Sequence, residues 1–271
     1  MMKKNLLIGA GLLVLFVIFT ILVKTVDVKT IGRQGTDVGM ATVNEAFRNA
    51  TGYHKNLYRA TEVVGYLAFA VIAVFGLIGL WQLIQRKSLW KVDRDILVLG
   101  GFYVVVLGCY VLFEKLVINY RPICDGDETL EASYPSSHTL LFVAVMATAI
   151  MQIAKRVRKM QMRAVLMVAC VMVGGFVIIG RAMCGVHWLT DIIGGLILAA
   201  ALVWLYYALA LADSKGACYP DSYGKDNRAD RRNHINCVYA GPEPRRDDTY
   251  MQDVYAGPAA PDSDVKDKAD V

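Results

Sequence analysis

The residues best suited to chemistry lie between Gly180 and Asp191, in the stretch GRAMCGVHWLTD. Arg181, His187 and Asp191 stand there at fixed intervals between two strongly apolar segments. Ionisable side chains beside a membrane core are costly, so they are functional candidates by default. His187 and Asp191 are four residues apart, which on a helix puts both on one face. A carboxylate so placed holds an imidazole in one tautomer, and a cation six residues earlier binds an anion facing it. A second set is Pro135-Ser136-Ser137-His138. Pro and Ser suit a helix start, with Ser136 as N-cap. The free N–H groups and dipole of such an end favour a phosphate, with His138 beside it in the first turn. Taken alone, Ser-Ser-His reads equally as a capped helix with a solvent-facing His. A third set, Glu114, Lys115, Arg121 and Pro122, lies in FEKLVINYRP.

The elements that must position these residues are membrane helices. The chain has 271 residues, 56% of them hydrophobic, which is too apolar for an ordinary soluble domain. Its net charge of +5 sits in short loops beside apolar runs, which is a topology signal and not a nucleic-acid footprint. Six apolar runs approach the roughly 20 residues that a bilayer requires. They are Leu6 to Val23, Val63 to Ile84, Ile96 to Ile118, Thr139 to Ile153, Ala164 to Ile179 and Trp188 to Ala212. The first follows Lys3 and Lys4, exceeds a usual signal-peptide core and precedes no small-residue cleavage site, so it reads as a retained span. Between Lys24 and Glu62, Met40, Val43 and Phe47 recur at helical spacing, which predicts a short helix or two at the membrane surface. The predicted fold is all-α, a six-transmembrane helix bundle over residues 1–212.

Orientation follows from Lys and Arg. Gln85 to Asp95 and Lys155 to Arg163 are dense in both and are expected in the cytoplasm, as are both termini. The loop Asn119 to Ser136 and the turn before His187 carry one Arg each and are expected outside. All three chemical clusters then fall on the outer face. Residues 213–271 hold nine Lys or Arg and twelve Asp or Glu with few aliphatics, so a disordered cytoplasmic tail is expected. Its repeat, Val238 to Pro242 and Val254 to Pro258, reads as a spacer or as docking motifs for a cytoplasmic partner. The six cysteines lack metal-site spacing. Cys124 and Cys184 fall in two outward loops, where the sequence leaves a disulfide between them open.

The ordered trio resembles the three signature motifs of the type 2 phosphatidic acid phosphatase superfamily, integral-membrane lipid phosphatases and their relatives. That family carries Lys-x6-Arg-Pro, Pro-Ser-Gly-His and Ser-Arg-x5-His-x3-Asp. This chain has Arg121-Pro122, Pro135-Ser136-Ser137-His138 and Gly180-Arg181-x5-His187-x3-Asp191. The resemblance implies that His187 attacks phosphorus and forms a phosphohistidine, that Asp191 orients it, and that His138 protonates the leaving oxygen and then activates water. It implies that Arg121, Arg181, Ser136, Ser137 and Lys115 hold the phosphoryl oxygens, with no metal and no cofactor. The implied partner is a membrane lipid phosphate: undecaprenyl diphosphate first, given a bacterial plasma membrane and the outward topology, then phosphatidic acid or phosphatidylglycerophosphate. A phosphotransferase and a non-catalytic scaffold acting through the tail are the alternatives. Three positions depart from the pattern: Glu114 stands where the family has Lys, with Lys115 turned about 100° around the helix; Ser137 replaces Gly; and Gly180 replaces Ser.

The topology is directly testable. Single cysteines introduced near Gly126 are expected to react with an impermeant thiol reagent from outside intact cells, and those near Arg158 only after permeabilisation. The reverse pattern would put the site in the cytoplasm.

Overall fold

The computed structural model describes residues 2–123 and 129–210. The tail with its repeat, and Cys124 with the pairing considered for it, lie outside the described residues. The described chain is all helical apart from turns and two isolated antiparallel bridges, Lys29 with Val38 and Tyr120 with Ala132. Seven helices follow in order: α1 Met2–Thr25, α2 Ala41–Thr51, α3 Lys55–Arg86, α4 Arg94–Lys115, α5 Ser137–Arg156, α6 Met160–Met183 and α7 Leu189–Ala210. Six are long and apolar enough to cross a membrane, and α2 is the short surface helix expected before the second span. The chain is an integral membrane protein.

Apolar periodicity locates the spans but not their ends. The second span, α3, begins at Lys55, eight residues before the apolar run at Val63. Its first two turns are polar yet helical because they lean on the end of α6: Thr61 is fully buried, and the Arg181 guanidinium lies 5.0 Å from the Tyr58 ring centre. Tertiary contact here outweighs the fall in hydropathy.

The spans α5 and α7 are the most buried, and α1, α3, α4 and α6 pack around them. Apolar side chains such as Leu7, Val63, Trp81, Val104 and Val165 remain exposed, as a lipid-facing surface requires. Small residues bring the buried helices close. A Cβ on Gly9 of α1 would stand 2.6 Å from the Leu205 side chain on α7, so a larger residue there would have to displace it.

The two ends of the bundle are held differently. At the end away from the chemical clusters, Asp95 is buried and receives Arg156 Nη2 at 2.8 Å and Lys155 Nζ at 3.2 Å. Arg156 also reaches Asp93 at 3.2 Å, and its Nε donates to Gln152 Oε1, whose amide nitrogen donates to Tyr206 Oη at 2.6 Å. Asp93 further takes Arg86 at 2.9 Å. This network ties the start of α4 to the ends of α3 and α5 and to α7. At the other end α2 is pinned to α7 by Asn44, whose Nδ2 donates to Thr190 Oγ1 and whose Oδ1 accepts from Thr190 N–H. The Asn44 side chain thus caps the N-terminus of α7 from another helix.

Because Asp95 is the buried member of the ion network, Asp95→Ala is expected to destabilise the bundle by about 1.5–3 kcal/mol. Thermal unfolding of the purified protein in detergent checks this. An unchanged Tm would mean that the network is not what joins these helices.

Candidate active site

The stretch Gly180 to Asp191 is not one helix. α6 ends at Met183, the chain turns through Cys184 to Trp188, and α7 starts at Leu189. Gly185 makes the turn at φ +79°, and a Cβ there would lie 1.9 Å from the Gly52 carbonyl oxygen. Only glycine lets this turn pass under the end of α2. His187 therefore sits in the turn and Asp191 in the first turn of α7, and helical spacing is not what brings them together. Both are buried.

Their relation differs from the direct pair that the spacing suggests. His187 Nδ1 and Asp191 Oδ2 are 3.7 Å apart, too far for a hydrogen bond. The Ser133 hydroxyl stands between them, 3.2 Å from Nδ1 and in a short hydrogen bond with Oδ2. Oδ2 also accepts the Trp188 N–H at 2.8 Å. Ser133 went unnoticed in the sequence because a lone serine in a loop forms no pattern. It reaches the site through the bridge between Tyr120 and Ala132 and through its own N–H, which donates to Asn119 O at 2.9 Å.

His138 occupies the first turn of α5, as predicted. Ser136 is the N-cap: its Oγ accepts from Thr139 N–H and Thr139 Oγ1. Its own N–H donates to the Asp191 carbonyl at 2.9 Å. The N–H groups of Ser137 and His138 have no acceptor within the helix, and a helix end of this kind favours an anion. Gly194 and Gly195 let this end rest on α7: a Cβ on Gly194 would stand 2.6 Å from the Tyr134 ring, and one on Gly195 3.0 Å from Ser136 O.

The cations converge on the same place. Arg181 is fully buried in the last turn of α6, and its Nη2 lies 2.6 Å from His138 Nδ1. Glu62 is 3.8 Å away. Arg121, in the loop after α4, pairs with Glu131 at 2.8 Å. Yet Arg121 Nε, Arg181 Nε and Nη1, and His187 Nε2 are all buried with no hydrogen-bond partner among the described residues. Burial, and then the charges of Arg121, Arg181 and His138, hold the His187 pKa well below the ordinary imidazole value. His187 is therefore held toward its neutral form, with one ring nitrogen free of partners and the charges of Arg121 and Arg181 close enough to act on it. Such a constellation suits nucleophilic attack on an anionic centre.

Arg121, Ser133 and Ser137 also line a small cavity of about 20 Å³ with Tyr110, Phe113 and Glu114. Lys115 is not drawn in: it is exposed at the last residue of α4, and Glu114 faces the cavity instead. Gly180 has a physical reason. A Cβ there would lie 2.5 Å from Thr61 Cγ2, so α3 occupies the space that a serine would need.

Residues 113–214 match the family model of the PAP2 superfamily, which bears out the resemblance read from the three motifs. The fold is similar to that in the crystal structure of the first transmembrane PAP2-type phosphatidylglycerolphosphate phosphatase from Bacillus subtilis. The two are 18% identical with a TM-score of 0.54, covering 73% of this chain and 93% of that one. No curated protein sequence matches this chain.

If α3 packing dictates Gly180, then Gly180→Ser is expected to destabilise by about 1–3 kcal/mol through overpacking. Adding Thr61→Ser, which removes the methyl but keeps the hydroxyl that bonds Tyr58 O, is expected to restore most of the loss. Unfolding of the two single variants and the double variant in detergent decides it; additive effects would place the strain elsewhere.

Proposed function

Taking the chain as a membrane protein of the PAP2 superfamily, we propose that it hydrolyses the phosphate monoester or diphosphate of a lipid through a phosphohistidine on His187. The observation that carries this reading is that His187 Nε2, Arg121 Nε, and Arg181 Nε and Nη1 are buried without partners among the described residues. Leaving the guanidinium donors unsatisfied is costly unless an anion uses them. A tetrahedral phosphoryl group is the anion that suits donors on several sides together with the N-terminus of α5. The family match and the fold neighbour support a membrane lipid phosphatase.

In the proposed reaction the lone pair on His187 Nε2 forms a bond to phosphorus while the bond from phosphorus to the lipid oxygen breaks. Arg121, Arg181 and the first N–H groups of α5 meet the charge on the transferring group. The electron pair leaves on the lipid oxygen, which takes a proton from His138. In the resting site the proximity of Arg181 to His138 Nδ1 makes that nitrogen an acceptor. Phosphate oxygens that draw the guanidinium away free Nδ1 to bind a proton, so the substrate itself assembles the acid. Water then attacks the phosphohistidine and gives a proton to His138, which releases orthophosphate and restores Nε2. The low pKa of His187 keeps the nucleophile unprotonated at neutral pH. The chemistry asks for no metal, since fixed arginines supply the positive charge. The site is taken to open at the outer leaflet, as the Lys and Arg distribution indicates.

The test is phosphate release by the purified full chain in detergent, over a panel of phosphatidylglycerophosphate, phosphatidic acid and undecaprenyl diphosphate. At least one lipid is expected to be hydrolysed with EDTA present, and His187→Ala is expected to reduce the rate by on the order of 10⁴-fold or more. Loss of activity in EDTA would overturn metal independence. Transfer to an added alcohol in preference to water would make the protein a phosphotransferase, and no turnover of any lipid phosphate would favour a scaffold.

A further inference from the structure

We infer that Ser133 is a positioning residue that couples Asp191 to His187 and fixes which ring nitrogen of the nucleophile is free. The polarity of the bridge follows from what each atom can do. Asp191 Oδ2 already accepts the Trp188 N–H at 2.8 Å, so it is an acceptor toward Ser133 as well. A serine hydroxyl has one proton to give, and here it goes to Oδ2. Toward His187, at 3.2 Å, Ser133 Oγ can then only accept, so Nδ1 carries the ring proton. The lone pair is left on Nε2, the buried nitrogen that has no hydrogen-bond partner among the described residues.

Asp191 does not do this alone, since its carboxylate stands 3.7 Å from Nδ1. Ser133 is itself held: it is buried, its N–H donates to Asn119 O, and its neighbour Ala132 bridges to Tyr120. Trp188 Nε1 donates to Tyr120 O at 2.8 Å, so the residue next to the nucleophile fixes the same loop from the other side. Two loops are thus locked with the hydroxyl between imidazole and carboxylate. In reactive histidines a hydrogen bond at the ring nitrogen opposite the reacting one sets tautomer and ring orientation.

For catalysis the inference rests on the proposed phosphatase reaction, but the tautomer needs no substrate. In the full chain labelled with ¹⁵N-histidine in detergent, the His187 signals, identified by their loss in His187→Gln, are expected to report a single neutral form protonated at Nδ1. Ser133→Ala is expected to convert it to a mixture of tautomers, and Ser133→Thr to retain the wild-type form. On a hydrolysed lipid, Ser133→Ala is expected to lower kcat about 10–100-fold, with KM changed less than about twofold. That effect is expected to shrink to less than about threefold in an Asp191→Asn background, as for residues acting as one unit. Ser133→Cys, close in size and a poor donor, is expected to follow Ser133→Ala and covers the case in which alanine fails to fold. An unmixed Nδ1–H form in both Ser133→Ala and Ser133→Cys would overturn the inference. So would an equal loss of kcat with and without Asp191. A wild-type chain that turns over no lipid phosphate would overturn the phosphatase reading, while the spectra would still decide the role of Ser133.

Discussion

The site end of the bundle depends on one buried carboxylate. Asp191 is fully buried in the first turn of a membrane helix, where a charge without partners would be prohibitively costly. Its Oδ2 collects the Ser133 hydroxyl and the Trp188 N–H, and its main-chain oxygen collects the Ser136 N–H. One residue of α7 thereby fixes the loop before α5, the first residues of α5 and the turn that carries His187. The first two lie more than 50 residues before Asp191 in sequence, across α5 and α6, while the third directly precedes α7. Gly194 and Gly195, one turn further along α7, permit the approach by leaving no side chain between α7 and residues 134–139. The carboxylate and the two glycines act together: without the close approach the carboxylate would lack donors, and without the donors the approach would bury an unmet charge.

The cationic side follows a complementary logic. Arg181 and Arg121 are each partly engaged, one against His138 and Glu62, the other by Glu131. Each also keeps at least one buried nitrogen without a partner among the described residues. The engaged atoms hold the guanidinium in place and the remaining ones define what it is held for. The opposite end of the bundle shows the contrast. There the ion pairs of Asp93 and Asp95 with Arg86, Lys155 and Arg156 close on one another, and their role is to hold helices.

Much of this was legible in the sequence. The six spans follow from apolar length, and the trio of motifs identified His138, His187, Asp191, Arg121 and Arg181 as one set. The ends and turns were not legible. Hydropathy falls off at Val63, while α3 continues back to Lys55 because Tyr58 and Thr61 pack on α6. Spacing suggested a helix through His187, whereas Gly185 forces a turn. Lys115, proposed as a phosphate ligand one residue late, faces outward, since a shift of one residue on a helix moves a side chain by about 100°. Ser133 carries no signature at all. Its position is a product of the loop closure around Asn119 and Tyr120, which only the folded chain displays.

The departures from the family pattern bear on whether the site works or has decayed. A site released from its chemistry is expected to lose first the features that cost stability without supporting the fold. Unsatisfied buried cations and an imidazole kept neutral by burial are such features. They are present here in full, while the altered positions leave those atoms in place. Gly180 yields its space to Thr61. Ser137 and Glu114 both line the small cavity, Glu114 from the end of α4. The costly centre is intact and the changes lie around it. That distribution fits an enzyme whose pocket walls have diverged, with the change falling on what surrounds the phosphoryl group and not on the atoms that would receive it.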